Sequence, residues 1–168
     1  MKQLSEYYTE ILKLIQPNFG KRFFELCSAK ELLCTMTFPK LFSSTAIVEC
    51  AEKKWEIKKE KWWKTSLLVL EAGNENPIAK VQVKLFKKSI VELSLGEKLL
   101  IKFAAFRSAS YILTELENLI VSIKKKFGWK DKSEVKIEYG AKQLDRYPWL
   151  IMLVLYIELG RRHQSAAH

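Results

Sequence analysis

The stretch 149–159 constrains this chain more than any other. It runs Trp149, Leu150, Ile151, Met152, Leu153, Val154, Leu155, Tyr156, Ile157, Glu158, Leu159, with Pro148 before it and Arg161 and Arg162 after Gly160. Almost every position is apolar and no polar face emerges. A helix that is apolar all round has to be enclosed by protein or by lipid. As a helix this core is about 16 Å long at ~1.5 Å per residue. A hydrocarbon layer needs about 20 residues, so the segment is short for a membrane span. The expectation is a helix over 147–162 wrapped by the rest of the fold. The competing expectation is a tail over 147–160 inserted in lipid, with the arginines at the headgroups.

What could wrap it is read from the residues ahead. From 22 to 139 the apolar period is two. The segments 22–27 and 32–38 form a hairpin pattern around Ser28, Ala29, Lys30 and Glu31, and 44–50 and 54–58 follow. In 54–58, Trp55 and Ile57 share one face and the charges share the other. The run 65–71 ends at the turn of Gly73, Asn74, Asn76 and Pro77, the strongest turn signal in the chain. Val81, Val83 and Leu85 alternate with Lys80, Gln82 and Lys84 over 78–85. Then come 89–93 and 98–104 around Gly96, 110–114 and 119–125 around Asn118, and 135–139. These are about eleven short strands at spacings of about 8–12 residues, the pattern of an all-β sandwich or barrel. No helical stretch separates them, so parallel βαβ units are not expected. A sheet closed around the apolar helix buries that helix and removes the sheet edges together. Ahead of the strands, Leu4, Tyr7, Tyr8, Ile11, Leu12 and Ile15 recur at steps of three and four up to Pro17 and Gly20. They predict a short amphipathic helix within 1–20, packed as a lid on the body. The expected fold is therefore mainly β (α+β by helix content). It is a closed antiparallel barrel of about 11–12 strands enclosing a hydrophobic C-terminal helix, with a short N-terminal helix. The 168 residues suit a single domain over 1–168.

This pattern resembles the tubby-like C-terminal fold, and within it the LURP-one-related and phospholipid-scramblase-like group. The resemblance covers about 23–162. It rests on the run Lys61, Trp62, Trp63, Lys64 through Glu71, on Pro77 to Val81, on Ala109 to Leu113 with its hairpin, and on the closing Leu150 to Ile157. It implies a twelve-stranded barrel around a hydrophobic helix, and a non-enzymatic domain that meets phosphoinositide headgroups or membranes. No headgroup-binding residue of tubby matches a position of this chain one by one.

The residues offer little chemistry. His163 and His168 are the only histidines and lie in the last six residues, so a Ser-His-Asp or Cys-His nucleophile is not expected. Asp131 and Asp145 are the only aspartates, and the six glycines are isolated, without a P-loop or dinucleotide fingerprint. No zinc or magnesium pattern is present. The expectation is no enzyme, no metal and no cofactor. Cys27, Cys34 and Cys50 have no paired spacing, and 1–15 lacks the apolar core of a secretory signal. Reduced, buried cysteines in a cytoplasmic protein are expected, with a Cys27–Cys34 bridge across the first hairpin as the alternative.

Two basic stretches carry the functional expectation. Lys53, Lys54, Lys58, Lys59, Lys61 and Lys64 interleave with Trp55, Trp62 and Trp63. Lys124, Lys125, Lys126, Lys130 and Lys132 surround Phe127 and Trp129. With 29 Lys and Arg against 19 Asp and Glu, the net charge of +10 suits anionic partners. Anionic phospholipid headgroups attract Lys at about 1 kcal/mol per residue near the surface, and Trp settles at the interface. Single-stranded nucleic acid is the alternative partner, with bases stacking on aromatics for about 1–3 kcal/mol each. The candidate anion- or lipid-binding residues are Lys58, Lys59, Lys61, Trp62, Lys64, Lys124, Lys125, Lys126, Trp129 and Lys130. The expected location is cytoplasmic, peripheral to a membrane. In the opposing reading the tryptophans plug the barrel and the lysines are merely solvated.

Overall fold

The computed structural model describes residues 2–84, 86–104, 108–126 and 132–166. Twelve antiparallel strands close into one barrel, each bonded to the next in sequence and the first bonded to the last. They are β1 (Ile11–Ile15), β2 (Phe23–Cys27), β3 (Leu32–Thr37), β4 (Ala46–Cys50), β5 (Lys53–Lys59), β6 (Ser66–Glu71), β7 (Ala79–Gln82), β8 (Ser89–Leu93), β9 (Lys98–Phe103), β10 (Ala109–Thr114), β11 (Leu119–Lys126) and β12 (Lys132–Ile137). A four-residue helix α1 (Gln143–Arg146) leads into α2 (Leu150–Ala166). Trp149, Leu150, Ile151, Met152 and Leu153 are wholly buried, so α2 is the enclosed helix and not a lipid-inserted tail. Among the described residues no helix is long and apolar enough to cross a membrane.

The alternation in sequence becomes an inside and an outside. Val48, Ile57, Val69, Val81, Val91, Ile101, Ile112, Val121 and Val135 are fully buried in one core with α2, while Glu49, Glu56, Lys80, Glu92 and Lys102 between them are exposed or half-buried. Pro148 precedes the first turn of α2, where a missing N–H costs nothing.

The expected N-terminal helix is only partly realised. It exists as a single 3-10 turn, Leu4–Tyr7, and the residues expected to continue it form β1. Ile11, Leu12, Lys13, Leu14 and Ile15 satisfy a period of two as well as a helical one. In the strand Leu12 and Leu14 point into the core while Ile11 and Lys13 point out. Tertiary pairing decides between the two periods. β1 pairs with β12 from Ile11↔Lys136 to Ile15↔Lys132 and with β2 at Lys13↔Cys27, and without it the sheet would keep two open edges. This is the twelfth strand that the sequence pattern of about eleven omitted. The 3-10 turn acts as a lid. Ser5 donates from its N–H and hydroxyl to the Asp145 carboxylate at 2.9 and 2.5 Å, tying the turn to α1.

The cysteines differ from expectation. Cys34 and Cys50 are joined in a disulfide with a Cα–Cα distance of 4.5 Å, and Cys27 is free. The reason is register: Cys34 of β3 lies directly opposite Cys50 of β4, a juxtaposition invisible in their sequence separation of 16.

Candidate functional site

The registers sort the connections by end. The segments 16–22, 38–45, 60–65 and 83–88 join β1–β2, β3–β4, β5–β6 and β7–β8 at one end of the barrel. The last turns of α2 also reach that end, where the Tyr156 hydroxyl donates to the Ser44 carbonyl at 2.5 Å. The connections 28–31, 51–52, 72–78, 94–97 and 115–118 lie at the other end, together with the 3-10 turn and α1.

The two ends differ in charge. The described connections of the first end hold Lys21, Arg22, Lys40, Lys61, Lys64, Lys84 and Lys87, with Glu60 their single acid, while Lys88 of the 83–88 segment is paired with Glu117. The turns of the second end hold Glu31, Glu52, Glu75, Glu97, Glu115 and Glu117, with Lys30 their single base. The excess of positive charge is therefore polarised along the barrel axis.

Of the sequence-predicted residues, Lys58, Lys59, Lys61, Trp62 and Lys64 come together at the basic end, along the last residues of β5 and the connection after it. The turn 61–64 is closed by the Lys64 N–H donating to the Lys61 carbonyl at 3.0 Å. Its two central residues are Trp62 and Trp63, 83% and 61% exposed. Their rings meet edge to face at 5.5 Å, and the Lys61 ammonium lies 5.3 Å from the Trp63 ring. Trp55 is a core residue, because it sits on the inward face of β5. The described tryptophans thus divide between core and surface, with the turn pair outside.

Lys124, Lys125 and Lys126 end β11 at the same end, across the barrel mouth from β5. Their roles differ. Lys124 is exposed. Lys126 pairs with Glu134 at 3.1 Å. Lys125 turns inward to Glu158 of α2 at 3.4 Å, so its charge is committed to the helix. Trp129 and Lys130 lie outside the described residues.

No sequence pattern marks the phenylalanines of this end. Phe19, Phe42 and Phe86 are 78%, 96% and 98% exposed. Each stands alone in sequence, and only the barrel brings them to the end that carries Trp62 and Trp63. The available signal was a large aromatic placed in a segment between strands, where Gly, Asn, Asp, Ser and Pro are favoured.

The opposite end holds a cavity of about 260 Å³ under the 3-10 turn, lined by Leu33, Trp55 and Ile78, the Cys34–Cys50 disulfide, Lys53 and Arg146. Two of its polar groups are engaged elsewhere: Asp145 accepts from Ser5, and Arg146 lies 3.8 Å from Glu97. Nearby, Tyr7 donates its hydroxyl to Glu31. Burial, that bond and the surrounding carboxylates of Glu31, Glu10 and Glu6 push its pKa up to about 12. Among the described residues no three His, Cys, Asp or Glu side chains are grouped to hold a metal ion.

No protein-family model matches the chain, and no curated protein does. Among solved structures, the X-ray structure of a protein from Arabidopsis thaliana superposes with a TM-score of 0.63. The match covers 93% of this chain and 96% of that one at 10% identity. At that identity the likeness shows the fold alone: a closed antiparallel barrel with a helix through it.

Proposed function

We propose that the chain is a non-enzymatic binding domain of the tubby-like, LURP-one-related kind that contacts anionic phospholipid at a membrane surface. The observation that carries this is the exposed Trp62–Trp63 turn set among Lys58, Lys59, Lys61 and Lys64. Exposing two indoles to water is unfavourable unless a partner covers them. Lysines around indoles match an anionic interface, where ammonium groups meet headgroups and indoles settle just below. Lys and not Arg dominates, which suits a diffuse field better than bidentate phosphate recognition. The twelve-stranded architecture around α2 supports the tubby-like assignment, since that is what the resemblance implies. The location we propose is peripheral, at the cytoplasmic leaflet, which carries the anionic lipid. In a reducing cytosol Cys34 and Cys50 would stand as a buried thiol pair.

The test is co-sedimentation with vesicles, anionic against neutral, at low and physiological salt. Anionic-selective binding that Lys61→Glu with Lys64→Glu abolishes is the expected result. Equal binding to both vesicle types, or none, refutes it. The same Trp pair gives single-stranded nucleic acid its one supporting observation, because two exposed ring faces offer stacking platforms. Oligonucleotide binding with a steep salt dependence, in place of vesicle binding, would select that reading.

A further inference from the structure

Three turns at the basic end share one construction. The Lys21 N–H donates to the Asn18 carbonyl, the Ser43 N–H to the Lys40 carbonyl, and the Lys64 N–H to the Lys61 carbonyl, at 3.0, 3.2 and 3.0 Å. Each is a hydrogen-bonded four-residue turn with at least one lysine at its corners. The central positions hold Phe19 with Gly20, Leu41 with Phe42, and Trp62 with Trp63. Turn centres favour small polar residues, so aromatic residues there oppose local preference at three separate places. Such conflicts mark functional surfaces.

The turns are also neighbours. They cap the β1–β2, β3–β4 and β5–β6 hairpins, which are consecutive around the rim. Their bases are fixed. Arg22 donates to the carbonyls of Leu41 and Ser43 at 3.4 and 3.2 Å, joining the first turn to the second. Its guanidinium covers the Phe38 ring at 3.9 Å, and Phe38 stacks on Tyr156 of α2 at 5.8 Å. The tips therefore stand on the barrel and its central helix as a preorganised set, which lowers the ordering cost of binding. The other end exposes apolar and aromatic residues too, Leu32, Leu95, Leu116 and the edge-to-face pair of Tyr8 and Tyr139, but among the acids Glu31, Glu97, Glu115 and Glu117. Charge decides between the ends.

We propose that the barrel docks end-on, its axis upright on an anionic bilayer, with Phe19, Leu41, Phe42, Trp62 and Trp63 entering the boundary between headgroups and acyl chains together. This rests on the lipid reading above and adds a mode of binding and an orientation. The lysine corners supply attraction that salt weakens. The aromatic tips supply a component that salt does not screen.

The experiment uses the full chain and vesicles of phosphatidylcholine with about one third phosphatidylserine. The wild type is compared with Phe19→Ser/Phe42→Ser and with the control Leu95→Ser/Leu116→Ser, at low and physiological salt. All four positions are exposed, and an unchanged thermal unfolding midpoint verifies the fold of each variant. The expected result is a loss of affinity of about ten- to a hundredfold for the phenylalanine variant at physiological salt. Residual binding at low salt and an unchanged control are expected with it. A phenylalanine variant that binds like the wild type overturns end-on insertion and leaves the lipid reading standing. So does a control variant that loses as much. Absence of wild-type binding to these vesicles at either salt overturns both.

Discussion

Lys125 tests how a basic cluster read from sequence divides into surface and structure. Glu158 is 5% exposed on α2, and neither of its carboxylate oxygens meets a hydrogen-bond donor in good geometry. The Lys125 ammonium at 3.4 Å is its compensating charge. Removing one partner of a fully buried pair costs about 3–5 kcal/mol, because the other charge is left uncompensated. Two facts lower that here. The Lys125 side chain is 33% exposed, and Arg161 follows one turn along, its guanidinium over the Phe103 ring at 4.4 Å. Lys125→Met should therefore reduce the unfolding free energy by about 2–3 kcal/mol. Glu158→Leu leaves a lysine able to swing into water and should cost about 1 kcal/mol or less. The double variant should stand close to wild type, a coupling of about 2 kcal/mol. Urea unfolding of the four proteins measures this, provided the slopes agree. A Lys125→Met protein as stable as wild type, with weaker vesicle binding by about 1 kcal/mol, would refute the pairing and return Lys125 to the lipid surface.

Other outcomes follow from the same structure. Leu153→Ala empties a fully buried position on α2 and should cost about 2–5 kcal/mol by urea unfolding; a cost below about 1 kcal/mol would mean that α2 is not enclosed. Tyr7 titrates near 12 in the fold against 10.0 for a free tyrosine, so the native state holds its proton more tightly. That contribution is complete below pH 10.0 and is lost as pH rises toward about 12. Tyr7→Phe should flatten the alkaline fall in stability over that window by about 2 kcal/mol, read from thermal or urea unfolding against pH. Denatured but unreduced protein purified under oxidising conditions should show one reactive thiol, Cys27. Reducing Cys34–Cys50, which closes a loop of sequence separation 16, should lower stability by about 3 kcal/mol. Three reactive thiols before reduction would contradict the pairing.

The strands were legible where one face is apolar and the other charged. Over 54–58, 78–85 and 98–104 the alternation placed Trp55, Ile57, Val81, Leu99 and Ile101 correctly inward, since a slip of one residue would expose the whole set. The enclosed helix was legible because it has no polar face. β1 was not, because Ile11, Leu12, Leu14 and Ile15 fit two periods and only pairing with β12 distinguishes them. Half the candidate site was visible in the lysines and tryptophans of 58–64. Phe19 and Phe42 were not, since a single aromatic between strands carries no period and its neighbours at the rim come from other hairpins. The inward turn of Lys125 was hidden for a related reason. At a barrel mouth the inward position next to a helix carboxylate accepts a cation, and a run of three lysines does not reveal which one points in.

The most direct test of the central claim is vesicle co-sedimentation of the purified full chain, phosphatidylcholine alone against the same lipid with phosphatidylserine, at physiological salt. Binding confined to the anionic vesicles, and lost when Phe19 and Phe42 are both replaced by Ser, is the result predicted for a barrel whose basic, aromatic-tipped end meets a membrane. Equal behaviour on the two vesicle types would contradict it.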